Sequence, residues 1–290
     1  RTVLVDFHTH TTASDGALAP AALLERARAA GIAELAITDH DTLAGYRAAA
    51  PLAEGLVLHP GVELSCQWSG ATIHVVGLGV RVDDPTLTAG LATLDSARQQ
   101  RAETIAARLA SRGFPGALAG ARAIAGDSQL GRPHFARWLV EAGHLPDAAT
   151  AFKRYLGRNK TGDVKAFWPG LAEVTGWITA AGGLAVLAHP LHYKFTRMKL
   201  RRLVADFAAA GGAALEVVSG RQAPGQATGL VQLAGDFGLA VSVGSDFHAD
   251  TPHGPRLGVA SAPFADQPNV WTRLAAPAGA PAAPREATAP

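Results

Sequence analysis

Metal-capable side chains recur at the ends of successive strand-like segments of this chain: His8, His10, Asp15, His40, Glu63, His74, His189, Asp246 and His248. Only a fold that brings many strand ends to one place can gather them. In an extended segment side chains alternate with a period of two. His8 and His10 in Asp6-Phe7-His8-Thr9-His10 therefore share a face, and Asp246 and His248 in Gly244-Ser245-Asp246-Phe247-His248 do so near the other end. Neutral imidazoles and carboxylates suit zinc, manganese or iron, and a set without cysteine is unlike a closed structural zinc knot. Nine such residues predict a multinuclear metal centre. Glu63 is especially telling, because a carboxylate within an apolar strand needs partners.

Strand and helix patterns alternate between these positions. Pro20 stands at a first helical position, Leu23, Leu24, Ala27 and Ala30 form a helical stripe, and Gly31 ends it. Residues 34–38 read as a strand leading to Asp39-His40-Asp41, 56–65 as one carrying Glu63, and 72–80 as one carrying His74. Beyond Gly170, helices at 171–181, 198–210 and 226–237 alternate with strands at 184–188, 214–218 and 239–243. Such repeats predict parallel strands with right-handed crossovers. Ligands at many carboxyl ends favour an α/β barrel, whose active sites lie on that face. Asp41 reads as a cap for the helix that follows it.

From residue 96 to 167 the strand signals stop, and helical stretches at 96–111, 132–141 and 147–156 are separated by glycine and proline. This block is expected to be a helical insertion, a cap domain over the site. The barrel is then discontinuous, at 1–95 and 168–275, and the Ala/Pro-rich residues 276–290 form a flexible tail. With 48% hydrophobic and 17% charged residues the chain is globular, and a net charge of +2 gives no global field for nucleic acid or membrane. The single cysteine, Cys66, excludes an internal disulfide framework and reads as a small buried hydrophobe in a reducing compartment. No apolar stretch approaches the roughly 20 residues of a membrane span, so a cytoplasmic protein without a membrane or DNA partner is expected.

The set His8-x-His10, Asp15, Thr38-Asp39-His40-Asp41, Gly61-Val62-Glu63, His74, Ala188-His189-Pro190 and Gly244-Ser245-Asp246-Phe247-His248 resembles the polymerase and histidinol phosphatase (PHP) superfamily of metal-dependent phosphoesterases. The likeness covers nearly the whole chain. Gly131-Arg132-Pro133-His134-Phe135-Ala136 and His189-Pro190-Leu191-His192-Tyr193-Lys194-Phe195-Thr196-Arg197 resemble the branch of 3′,5′-nucleoside bisphosphate phosphatases and ribonuclease AM. The resemblance implies a distorted (β/α)7 barrel of the PHP type with two or three divalent ions, manganese first, with iron or zinc as alternatives. His8, His10, Glu63 and Asp246 would hold the first ion; Asp15, His40 and His248 the second; His74 and His189 the third, with Glu63 bridging the first and third. Asp15, His40, Asp246 and His248 would carry catalysis, by attack of a metal-bridging hydroxide on the phosphate. Asp6 would orient a ligand from behind.

Basic residues around the insertion are expected to hold the rest of a substrate. Arg98 and Arg101 lie three apart on a helix, Arg132 and His134 stand at a helix start, and Lys194 and Arg197 follow His189. A guanidinium fork suits a second, non-reacting phosphate. The function implied is removal of the 3′-phosphate from a nucleoside 3′,5′-bisphosphate. The alternatives are a 5′-to-3′ exoribonuclease acting on short RNA 5′ ends, a histidinol phosphate phosphatase, and a non-catalytic metal-binding scaffold.

Overall fold

The computed structural model describes residues 3–164, 167–223, 225–252 and 254–275, so the expected tail at 276–290 lies outside the described residues. The chain opens with β1 (Leu4–Asp6), α1 (Pro20–Ala29), β2 (Ile32–Ile37), α2 (Ala44–Ala49) and the long strands β3 (Val57–Trp68) and β4 (Ala71–Leu78). Five helical elements follow without a strand: α3 (Pro85–Ala110), α4 (Ala117–Ala125), α5 (Arg132–Glu141), α6 (Ala148–Ala151) and a π-helical turn at Phe152–Leu156. Alternation then resumes with α7 (Leu171–Ala180), β5 (Leu184–Leu187), α8 (Arg197–Ala209), β6 (Ala214–Ser219), α9 (Gln226–Asp236), β7 (Ala240–Gly244) and β8 (Val259–Ala260).

The strands form one sheet in the order β7-β6-β5-β4-β3-β2-β1-β8. It nearly closes on itself: the Phe7 N–H donates to Val243 O at 3.1 Å, and Thr9 pairs with Phe247 across the seam. Strands β1 to β7 thus make the body of a distorted barrel with helices outside it, and β8 adds an antiparallel edge to β1. One expectation needs correction. The alternation predicted parallel strands, yet β4 runs antiparallel to both β3 and β5. The cause is local: Ser69 and Gly70, both at positive φ (47° and 72°), make a two-residue hairpin turn, leaving no chain for a crossover. Because β4 returns, its first half lies beside the last half of β3, and the pairing of Ser65 with His74 and of Glu63 with Val76 sets Glu63 and His74 on one face.

Two apolar cores share one helix. Leu87 and Leu94 of α3 belong to the barrel core, whereas Ala102, Ile105 and Leu109 of the same helix pack with Ala121, Phe135, Leu139, Leu156 and Val164 in a separate helical core. Asp84 starts this helix by accepting from the Thr86 and Leu87 N–H groups, with Pro85 next to it. Gly90 lets Trp177 of α7 approach, since a Cβ there would lie 2.5 Å from the indole. Among the described residues no helix is long and apolar enough to cross a membrane.

Candidate metal centre

Buried carboxylates that are not themselves near a cation position shape the backbone of the site. Asp6 accepts from the N–H groups of Ser245 (2.9 Å), Gly258 (2.8 Å) and His8 (3.3 Å), so it acts on the backbone of two site loops rather than on an imidazole. Asp39 accepts from the Thr11 N–H and hydroxyl and from the Ser14 hydroxyl, at 2.8, 2.7 and 2.6 Å, which fixes the loop carrying Asp15. His189 (φ 30°) and Asp246 (φ 53°) sit in the left-handed region. Non-glycine residues hold that conformation at a cost, typically where a site demands it.

All nine sequence-expected side chains converge at the strand ends. Glu63 Oε2 lies 3.3 Å from the Nε2 atoms of His8 and His10 and 3.0 Å from His40 Nδ1. Its other oxygen lies 3.0 Å from His74 Nδ1 and 2.9 Å from His189 Nε2. Asp246 Oδ1 is 3.5 Å from His8 Nε2 and 3.3 Å from His10 Nε2. Asp15 meets His248 Nε2 at 3.3 Å and His40 Nε2 at 3.7 Å. Among the described residues, donor atoms close enough to share an ion occur in four groups: His10, Asp15, His40 and His248; His8, His10 and Glu63; His40, Glu63 and His74; and His189, His192 and Asp246.

The site fits cations on its own chemistry. His8 Nε2, both nitrogens of His10, His40 Nδ1, Asp15 Oδ1 and Glu63 Oε2 are buried without a hydrogen-bond partner, although each faces the others. Buried polar atoms are otherwise almost always satisfied. Burial favours neutral imidazoles, but at His8 Glu216, Glu63 and Asp246 outweigh it and raise the pKa well above the ordinary value. At His10 burial is likewise overcome by Asp246 and Glu63, to about 10. Burial tends to raise Glu63, yet His40, His74 and His8 hold it well below the usual carboxylate range. His74 goes the other way, down to about 4, through burial and the neighbouring His40 and His189 against the pull of Glu63. The carboxylates thus sit among imidazoles drawn toward opposite charge states, His8 and His10 upward and His74 downward.

The expected substrate residues do not gather as one group. Arg98 is buried, its Nε donating to Asp41 Oδ2 at 2.6 Å and its Nη1 to Leu130 O at 3.2 Å. Asp41 therefore does not cap α2, whose N-cap is Leu43 without a side-chain bond. It accepts from Arg98 and from the Ser65 N–H (2.7 Å), because its left-handed backbone (φ 54°) turns the carboxylate back toward β3. Arg101 donates to Val164 O at 2.9 Å and, like Arg98, lies over the Trp168 ring; burial, with Arg132 and Arg98 nearby, pushes it down to about 9. His134 accepts the Gly131 N–H at 3.0 Å and is buried at the start of α5. Arg197 lines an outer groove with Leu200 and Leu233, and Lys194 is exposed beside it.

Arg132 has a different setting. It lines a cavity of about 260 Å³ that opens beside His74, together with Arg158, Lys199, Asp163, His192, Tyr193, Phe195 and the β3–β4 turn. Arg158 and Lys199 carry no mark in the sequence that separates them from surface residues, whereas Tyr193 stands within the His189–Arg197 motif without a role assigned to it. Tyr193 accepts the His74 N–H at 3.0 Å and donates to Ala188 O at 3.0 Å, fixing one ligand strand against the next. Glu216, also missed, had a readable signal: like Glu63, it is a lone carboxylate in an apolar strand.

An α/β barrel with carboxylates and imidazoles gathered at its strand ends, where they could hold metal ions, is the frame of a metal-dependent hydrolase. The PHP domain family matches residues 6–107. The chain is 45% identical over 257 residues to the 5′-3′ exoribonuclease Rnm of Escherichia coli, covering 86% of this chain and 87% of that protein. It is 41% identical over 257 residues to the 3′,5′-nucleoside bisphosphate phosphatase of Chromobacterium violaceum, covering 88% and 90%. A solved structure from Chromobacterium violaceum, described as an amidohydrolase with bound sulfate and no metal, superposes with a TM-score of 0.84 at 38% identity, over 93% of this chain and 95% of that one. The chain belongs to the PHP family, as a metal-dependent phosphoesterase.

Proposed function

We propose that this protein hydrolyses the 3′-phosphate of nucleoside 3′,5′-bisphosphates, such as adenosine 3′,5′-bisphosphate, to the 5′-nucleotide. The observation that carries this reading is the junction of the ligand cluster with a cavity at His74 in which Arg132, Arg158 and Lys199 outnumber Asp163. One doubly charged phosphate requires the cluster, and a second, unreactive one has a separate place among Arg132, Arg158 and Lys199. The cavity of about 260 Å³ is at the small end for ligand sites, suiting part of one nucleotide. The name of the Chromobacterium violaceum relative supports the same substrate.

His8, His10, Glu63 and Asp246 would hold one ion, Asp15, His40 and His248 a second, and His74 and His189 a third shared with Glu63. Manganese, iron or zinc bound there would supply Lewis acidity, neutralise the phosphate and lower the pKa of water. The residues of the chain do the rest. Arg132 spends one N–H on Leu156 O (2.9 Å) and Arg158 one on Tyr193 O (2.8 Å), which orients both guanidinium groups and leaves other N–H donors for an anion. His192 stacks on His189, centroids 4.9 Å apart, and stands at the opening where the reacting group must pass. Phe195 presents a ring beside Lys199 for the nucleoside.

A second reading, 5′-to-3′ cleavage of short RNA, is favoured by α8. From the cavity outward it carries Lys199 and Arg202 around Trp68, with Arg197 and Arg201 on the next face, which is the pairing of cations with aromatic rings that suits a single strand. The manganese-loaded protein should release phosphate from adenosine 3′,5′-bisphosphate with kcat/KM at least tenfold above that for 5′-phosphorylated tetranucleotides. Charge-assisted bonds are worth about 1.5–3 kcal/mol each. Arg132→Ala with Arg158→Ala should therefore cost about tenfold or more on the bisphosphate, and little on adenosine 3′-monophosphate. Equal losses on both substrates would reject the phosphate pocket, and a preference for the tetranucleotide would select the exoribonuclease.

A further inference from the structure

Glu216 belongs to none of the side-chain groups that could share an ion, yet it is bonded to two of them. It lies on β6, where a bulge between Glu216 and Val218 interrupts the pairing with β7, and its side chain is buried. One carboxylate oxygen lies 2.9 Å from His8 Nδ1, and the other accepts the backbone N–H of His189 at 2.6 Å. Gly244 on β7 makes the first contact possible: a Cβ there would lie 2.4 Å from His8 Cβ and 2.9 Å from the Glu216 oxygen. The other ring nitrogen of His8, Nε2, is buried without a hydrogen-bond partner and faces Glu63 and Asp246.

A carboxylate can only accept, so the proton of the His8 ring is held at Nδ1 and the Nε2 lone pair is left for an ion. At His189 the left-handed backbone is one that surroundings must enforce, and the bond from its N–H to Glu216 is such a restraint. We infer that Glu216 is a positioning residue that locks the tautomer of His8 and the backbone of His189 together, coupling the ion on His8 to the ion on His189. This rests on the metal-centre reading. Glutamine cannot substitute: both contacts come from N–H donors, and an amide has one oxygen, so its NH2 must face one of them.

Zinc is the probe, because it is diamagnetic and each histidine ring then reports its own state by ¹⁵N NMR. In the zinc-loaded, unmutated protein His8 should carry its proton at Nδ1 and bind through Nε2. Glu216→Gln should weaken zinc ten- to a hundredfold, the usual size for a carboxylate behind a metal-ligating histidine. That loss should fall on the ions reported by His8 and His189, with occupancy at His40 and His248 and the circular dichroism unchanged. Unmutated affinity in the variant, or an equal loss at every ion, would overturn the proposal. Should the variant not fold, the unmutated protein still decides, since His8 bound through Nδ1 with its proton on Nε2 overturns it. Failure of the unmutated protein to bind zinc would overturn the metal centre itself, and this proposal with it, before any variant is made.

Discussion

Glu63 lies within 3.3 Å of five imidazoles, those of His8, His10, His40, His74 and His189, and a single carboxylate cannot satisfy five ring nitrogens by hydrogen bonds. Cations shared among these groups would satisfy the rest. Ligands bind metal only when deprotonated, so loading a site whose rings hold protons expels them. In the metal-free protein at pH 7, His10 is below its pKa of about 10 and His8 is likewise raised, while His74, near 4, is already neutral. Burial lowers His189 but Glu63 and Asp246 outweigh it and raise it too, so adding zinc at pH 7 should release at least two protons per chain, read with an indicator dye in weak buffer. The sign follows from the direction of the shifts: apparent affinity rises with pH until His10 loses its proton unaided. Release of no protons would mean that the rings are neutral before metal arrives. At this scale the sequence was largely legible, because imidazoles and carboxylates at strand ends declare themselves. Cys66 too is the buried hydrophobe it resembled, its thiol donating to Ile73 O. Glu216 was legible by the same sign as Glu63, a lone carboxylate in an apolar strand, but no histidine or aspartate stands beside it in the sequence to draw notice.

Between elements, the main tie from helical layer to barrel is the buried pair of Arg98 on α3 and Asp41 after β2, 2.6 Å apart. The loop before α5 adds bonds from the Gln129 N–H to Ala13 O (2.9 Å) and from the Ser128 hydroxyl to Thr12 O, directly before Asp15. Removing one partner of a buried pair strands the other charge, at about 3–5 kcal/mol. Asp41→Asn should destabilise the protein by that amount in urea unfolding; a change below about 1 kcal/mol would show that water reaches Arg98. Most of the elements could be read from periodicity and from Pro, Gly and Asp at their ends. Two features could not. The direction of β4 depends on a two-residue turn, and the partner of Arg98 depends on a left-handed residue that the side-chain pattern does not reveal.

For the whole molecule, an ion bound only by the folded state stabilises it by mass action, about 2.7 kcal/mol per site at a hundredfold excess over Kd. Stripping the metals with a chelator should lower Tm by roughly 5–10 °C for each ion lost from a chain of this size, and refilling should restore it. A Tm indifferent to chelator would mean that the cluster tolerates its own repulsions. The barrel class was legible because ligands at many strand ends have few alternatives, whereas nothing in the sequence shows that the two cores share a helix. That sharing has a mechanical result. The 26 residues of α3 form a continuous rod of about 39 Å, anchored at one end among Leu87 and Leu94 and at the other among Ile105 and Leu109. A rod gripped at both ends cannot act as a hinge. Arg98, near its middle, therefore reaches Asp41 from a span braced on both sides, so the tie between helical layer and barrel is carried by a beam and not by a loop.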